Sequence, residues 1–416
     1  MFVAMERSLR AGRTATFAYF VLNGFLMGMW IVHIPSVEQR TGISHATLGW
    51  LLLLLGGGAF AGMRLVGPLT DRFGARTTVP VSAVACSAAL VLPGLAAGGW
   101  TLGAALVLLG FGNGCLDVSM NTHAVQVERG YQRPVMSAFH ALFSVGGVAA
   151  SLIGALTLGW GWSAAPTLGG TAAVGVAAAL LAAPALLRAE TAPTTALVSD
   201  SGSDSLPASP GRAPRATPRL IWMLAVLASM LMLCEGVAND WSTLQLKDVL
   251  GAPAATAALA YGAFATAMTV GRLLADRVAA RIGTAAVLGY GAAVAAGGLA
   301  LAALSPVVPL VLVGWAVFGA GLSGCVPQLF SAAGHADPDG AGANVSRVAG
   351  LGYLGMLAGP AVIGPMTHLM PLNIAFLLPV ALCVIASFTA RILKDEPAAP
   401  AEPEADPHLA PAVRGR

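Results

Sequence analysis

Asp117 lies within a long apolar run, with Asn113 four residues before it and Asn121 four residues after. On a helix those spacings place the three side chains on one face. A charged group at membrane depth costs roughly 2.5–3.5 kcal/mol on insertion scales, so a carboxyl there needs a partner, water or a proton. Desolvation favours the neutral acid and a wet cavity the charged one. A carboxyl balanced between the two loads and releases a proton as its surroundings switch, and Asp117 is the first candidate for proton coupling or substrate binding. A static hydrogen bond between helices is the competing reading. Glu235, with Asn239 one turn on, is the second such acid; it reads as sitting towards the outer end of its helix, with no Lys or Arg in the same span. Asp240 and Trp241 then fall at the interface, where Trp anchors and Asp240 reads as a gating residue. Ser137, His140, Ser144 and Ser151 recur at helical spacing and make a small polar face. His140 titrates near neutrality, although an interfacial histidine satisfied in place fits as well. Asn23, Tyr261, Gln328 and Tyr353 complete the cavity-lining candidates, with hydrogen bonding inside the helix packing as the default for each.

These residues need elements that hold them in hydrocarbon. The chain has 416 residues, 56% hydrophobic and 10% charged. Soluble domains carry roughly 25% charged residues, which excludes a soluble enzyme, a collagen-like chain and a disordered one. A net charge of +3 does not imply nucleic acid. Apolar segments at 14–35, 45–66, 77–98, 101–126, 135–158, 164–187, 219–240, 254–274, 283–304, 307–330, 348–369 and 373–393 are each long enough to cross ~30 Å of hydrocarbon. The expected fold is therefore all-α, with twelve transmembrane helices. On this layout 20 of the 22 Lys and Arg residues, Arg272 among them, fall on one side, and only Arg40 and Lys247 fall on the other. The positive-inside rule then puts both termini in the cytoplasm. The expected organisation is a cytoplasmic N-terminus at 1–13, a six-helix bundle at 14–188, and a flexible Ser/Pro/Thr/Ala-rich linker at 189–218. A second bundle at 219–393 and a disordered tail at 394–416 complete it.

The five cysteines fall inside the spans without metal-like spacing. No G-x-x-x-x-G-K-[ST] loop and no H-E-x-x-H occurs, so neither ATP-driven transport nor membrane-embedded catalysis is expected. The expected cofactor set is empty, with the proton gradient as energy source. The expected partners are a small-molecule substrate and the lipid bilayer, with no nucleic acid and no obligate protein partner.

The halves repeat. Asp71-Arg72 followed by Arg76 recurs as Asp276-Arg277 followed by Arg281, 205 residues on (276 − 71). Phe111-Gly112-x-Gly114 recurs as Phe318-Gly319-x-Gly321, and Gly42 is matched by Gly251. This suggests duplicated six-helix bundles of the same orientation. The loop Gly67-Pro-Leu-Thr-Asp71-Arg72-Phe-Gly74-Ala-Arg76 resembles the signature loop of the major facilitator superfamily. The resemblance implies secondary transport by alternating access, with substrate held between pseudo-symmetric halves. It also implies gating by Asp71, Arg72, Arg76, Asp276, Arg277 and Arg281, whose pairs hold one state closed. Gly112-x-Gly114-x-Leu116-Asp117-x-x-x-Asn121 is similar to a stretch in fucose permease-like proton-coupled sugar transporters, which carry Glu where this chain has Asp117. That likeness implies proton-coupled symport of a sugar-like or other polar metabolite in a bacterial inner membrane. Phe139-His140 and Glu235-Gly236…Asp240-Trp241 resemble the marks of a little-characterised bacterial facilitator branch. Gly355-x-x-x-Gly359-Pro360 of the eleventh helix resembles the helix-bending run that antiporters of this superfamily carry in the fifth; the alternative is efflux of apolar or cationic compounds by proton antiport, whose cavity the many Met and Trp residues would suit.

Overall fold

The computed structural model describes residues 2–131, 135–187, 219–336 and 341–392. The expected linker at 189–218 and tail at 394–416 lie outside the described residues. Twelve helices are long and apolar enough to cross a membrane: α1 (Arg7–Thr41), α2 (His45–Phe73), α3 (Ala75–Leu95), α4 (Gly99–Tyr131), α5 (Ala138–Gly159) and α6 (Ala164–Ala185), then α7 (Arg219–Val249), α8 (Ala254–Ala275, its helix continuing to Ile282), α9 (Thr284–Leu304), α10 (Val308–Ala333), α11 (Arg347–Met366) and α12 (Leu372–Thr389). No strand occurs among the described residues.

Glycine sets the helix ends and the repeat's register. α2 stops at Gly74, whose φ of 77° is closed to most side chains. The matching helix of the second half, Ala254–Ile282, has the same 29 residues as His45–Phe73 and stops in the same way at Gly283, with φ 85°, so the helix ends lie 209 residues apart (283 − 74) where the signature Asp residues lie 205 apart. The signature Asp therefore sits one turn deeper in its helix at Asp276 than at Asp71.

Glycine also sets how closely helices approach. Gly58 and Gly62 of α2 face the Val107 and Phe111 carbonyls of α4, while Gly110 and Gly114 of α4 face Leu55 and Ala59 of α2. A Cβ at any of the four would overlap backbone, so the two helices are in contact along their length. Asp117 follows one turn after this seam.

Within the first half α1 packs on α5 and α6, and within the second α7 packs on α11 and α12. Between halves the main contacts are α2 with α11 and α5 with α8, which a repeat of six helices interchanges. Gly49 of α2 lies against Pro360 and Gly364 of α11. Ser151 Oγ of α5 donates to the Ala258 carbonyl of α8 at 2.8 Å, and Tyr261 Oη lies over Gly147. These contacts gather at the end away from the signature loops. At the basic end Asp71, Arg72, Arg277 and Arg281 are exposed, Arg76 is half-buried, and among the described residues none of them forms an ion pair across the halves. The side chain of Asp276 lies outside the described residues. The molecule is thus closed at one end and open at the other.

At the closed end two helices run well past their expected ends. α1 continues from 35 to Thr41, and α7 continues from 240 to Val249, its last five residues forming a π-helical turn at Gln245–Val249. Buried Gln245 holds that turn: its Nε2 donates to the Ala302 carbonyl at 2.6 Å and its Oε1 accepts from Trp315 Nε1 at 2.8 Å. Glu235 therefore lies at mid-helix rather than towards the outer end. Asp240 lies roughly 14 Å inside the end of α7 rather than at an interface. The extra turns escaped the periodicity because Glu38, Arg40, Lys247 and Asp248 interrupt the apolar pattern there.

Candidate functional site

Asp117 is half-buried on α4, and Asn121 Nδ2 donates to its backbone carbonyl at 2.9 Å and to its carboxylate at 3.3 Å. Among the described residues no Lys, Arg or His lies within 4 Å of that carboxylate. One turn earlier, Asn113 Oδ1 is buried without a protein donor. The expected polar stripe is therefore present, and it leaves one acceptor and one carboxylate with capacity to spare.

Glu235 on α7 does have a cation. Arg272 Nη2 of α8 donates to Glu235 Oε1 at 2.9 Å, with side-chain exposures of 39% and 14%. Arg272 stays on the basic side of the layout, and its side chain has a task there that the charge count did not show. Arg272 lies three residues before the end of the membrane-crossing stretch of α8, and its long side chain reaches inward to the acid. Its position inside the apolar run at 254–274 was the available signal.

Tyr353 of α11 is exposed to the gap between halves and lies within electrostatic reach of Asp117, Glu235 and Arg272. His140 of α5 is exposed, feels the Arg272 charge, and meets Phe20 edge-on at 5.2 Å; its carbonyl accepts from Ser144 Oγ at 3.4 Å. The fold thus gathers Asp117, Asn121, Glu235, Arg272, Tyr353 and His140 around one gap, from both halves. Asn239 and Asp240 are half-buried on α7, and Tyr261 is buried within reach of the Glu235 and Asp240 charges. Asn23 and Gln328, expected to line the cavity, are instead buried at 1% and 6% exposure. In this conformation helix packing covers both, as short or flexible polar side chains in tightly packed helices allow.

A second polar cluster lies at the closed end. Glu38 Oε1 of α1 accepts from His45 Nδ1 of α2 at 2.6 Å, and His45 Nε2 faces Asp248 Oδ2 of α7 at 3.7 Å. Lys247 Nζ crosses from α7 to donate to Gln39 Oε1 at 3.1 Å and to the Pro35 carbonyl at 3.4 Å. Arg40 donates to the carbonyls of Pro93, Gly94 and Ala96 at the end of α3. The two basic residues that depart from the charge asymmetry each have a structural task here. Nothing in the sequence links Asp248 to His45, some 200 residues away.

The sequence model of the Major Facilitator Superfamily matches residues 16–342 and 241–414. The chain is 33% identical over 363 residues to an uncharacterised MFS-type transporter of Yersinia pestis, covering 86% of this chain and 89% of that one. It is 32% identical over 384 residues to an uncharacterised transporter of Sinorhizobium fredii, covering 91% and 97%. In fold it is similar to the crystal structure of the nucleoside transporter NupG, with a TM-score of 0.70 at 13% identity, over 91% of this chain and 99% of that one.

Proposed function

Because the chain belongs to the major facilitator superfamily, a family of multi-pass membrane transporters, we propose that it carries a small polar, sugar-like metabolite by proton-coupled symport, with Asp117 as the proton and substrate site. The observation that carries this reading is the Asp117 carboxylate: at membrane depth, facing the gap between halves, bonded by Asn121 and, among the described residues, without a cation within 4 Å. A carboxylate so placed is held by neither a salt bridge nor full burial, so a proton is its natural counter-charge when the gap dries. Asn113, Asn121 and Tyr353 offer neutral hydrogen-bonding groups suited to hydroxyls, and the Glu235–Arg272 pair is a charged contact that substrate can reorganise.

The positive-inside reading makes the basic end cytoplasmic, in a bacterial inner membrane with both termini inside. On that orientation the described conformation faces inward. Alternation then closes the basic end, bringing Asp71, Arg72 and Arg76 towards Asp276, Arg277 and Arg281, and parts the contacts of α2 with α11 and of α5 with α8. Glu235 supports coupling beside Asp117, and Asp240 supports gating from inside α7. Nothing in this mechanism calls on a cofactor beyond the gradient. The resemblance to antiporters lies in Gly355, Gly359 and Pro360 of α11, where those proteins carry the run in the fifth helix. Those glycines seat α11 against Ser229 and Leu233 of α7, a packing task that is independent of the direction of transport.

The test begins with a thermal-shift screen of purified protein against polar metabolites, since a ligand of the folded state raises its melting temperature. The ligand found is then followed into proteoliposomes under a pH gradient. Asp117→Asn should abolish gradient-driven accumulation and keep counterflow exchange. Accumulation by that variant at the wild-type level removes Asp117 from coupling.

A further inference from the structure

The cluster at the closed end combines ligand types that transport itself leaves unused. The Glu38 carboxylate accepts from His45 Nδ1 at 2.6 Å, so in the neutral imidazole Nε2 is the nitrogen that carries the lone pair. That nitrogen faces Asp248 Oδ2 at 3.7 Å. Two donors on one tetrahedral ion, each bound at about 2.0–2.1 Å, stand about 3.3 Å apart, so a closure of a few tenths of an ångström suffices. A carboxylate on the far ring nitrogen is also the orienting partner that metal-binding histidines use. Ligand atoms of Glu38, His45 and Asp248 all lie within 4.8 Å of one another. With His368 these residues line a cavity of about 470 Å³. Lys247, the neighbouring cation, spends its ammonium on Gln39 and Pro35, and among the described residues no Lys or Arg lies within 4 Å of either carboxylate.

We propose that this cluster is a divalent-cation site of the zinc class, in which His45 Nε2 and Asp248 Oδ2 hold the ion, Glu38 orients the imidazole, and His368 supplies a further donor from the cavity wall. Imidazole nitrogen beside a carboxylate favours Zn²⁺ over Mg²⁺, which demands an octahedral oxygen shell. His45 opens α2 and Asp248 closes α7, so the ion ties one half of the molecule to the other. An ion that binds only while these ends are together adds its binding free energy to the closed end and holds the molecule in the described conformation.

The purified full chain, freed of any histidine tag, is titrated in detergent with ZnCl₂ by calorimetry and by thermal shift, with MgCl₂ as control. One saturable Zn²⁺ site and a melting temperature raised by Zn²⁺ and not by Mg²⁺ are expected. His45→Ala and Asp248→Asn should each abolish the response, and Glu38→Gln should weaken binding roughly 10–100-fold. Size-exclusion elution at the wild-type position verifies each variant's fold. Asp248→Asn, which changes an exposed side chain at a helix end, decides the matter if His45→Ala does not fold. Absence of saturable Zn²⁺ binding, or wild-type binding by a folded Asp248→Asn protein, overturns the proposal.

Discussion

Asp117 and Glu235 share a charge and a depth, yet their surroundings give them different work. Glu235 has Arg272 at 2.9 Å, so removing either partner leaves a charge without its counter-ion in a poorly hydrated place. The pair is neither fully buried nor fully wet. Exposed pairs contribute about 0–1 kcal/mol, and breaking a buried one costs about 3–5 kcal/mol, so Arg272→Ala should destabilise by about 1–2 kcal/mol. The double variant Arg272→Ala/Glu235→Gln should recover most of that loss, because it removes both charges. Melting temperatures of the two singles and the double, measured as a cycle, check this coupling. Asp117 has no such partner among the described residues, and Asp117→Asn should leave the melting temperature near or above that of the wild type while it removes coupling. The two acids look alike in sequence because each is flanked by Asn at helical spacing; only the arrival of Arg272 from another helix tells them apart.

At the scale of helices, glycine decides how near the α4 stripe comes to the rest of its half. Gly114 faces the Ala59 backbone directly, whereas Gly57, on the same stretch of α2, has open space within 4 Å of where its Cβ would stand. Gly114→Ala should therefore force α2 and α4 apart at a cost of about 1–3 kcal/mol. Gly57→Ala should be neutral or mildly stabilising through helix propensity. Thermal unfolding of the two variants side by side is the check, and equal melting temperatures would mean that the seam is not tight. The repeat was legible in the residues as Asp71-Arg72 and Asp276-Arg277. The two helices that carry these pairs are equally long, 29 residues each, and both end at a glycine with positive φ, so only the Asp-Arg pair shifts, by one turn, between the halves. The π-helical turn at Gln245–Val249 left no such trace. It depends on a buried amide satisfied by Trp315 and Ala302, which are remote in the chain.

The whole molecule is asymmetric along the membrane normal in two independent ways. Basic side chains gather at one end, and the contacts between halves gather at the other. The first asymmetry predicts orientation. A fluorescent protein inserted in the 189–218 segment should fluoresce, and alkaline phosphatase fused after Ser305 should be active, because Ser305 follows α9 at the closed end. The reverse pattern of reporter activities would invert the molecule in the membrane and make the described conformation outward-facing. The second asymmetry is a property of conformation, since Arg72, Arg277 and Arg281 stand exposed and, among the described residues, unpaired across the halves while His45, Lys247 and Asp248 are engaged.

The sequence by itself determined the twelve spans, the duplicated halves, the face that gathers basic residues and the depth of Asp117. Each of these follows from local composition and spacing, because hydrocarbon tolerates only long apolar helices and exposes every charge placed inside it. Tertiary structure alone decided that Arg272 serves Glu235, that Asn23 and Gln328 are covered, which end is closed, and that Glu38, His45 and Asp248 meet there. The physical reason is distance along the chain: these are contacts between helices far apart in sequence, set by how closely glycine-bearing faces approach and by which conformation the two halves adopt.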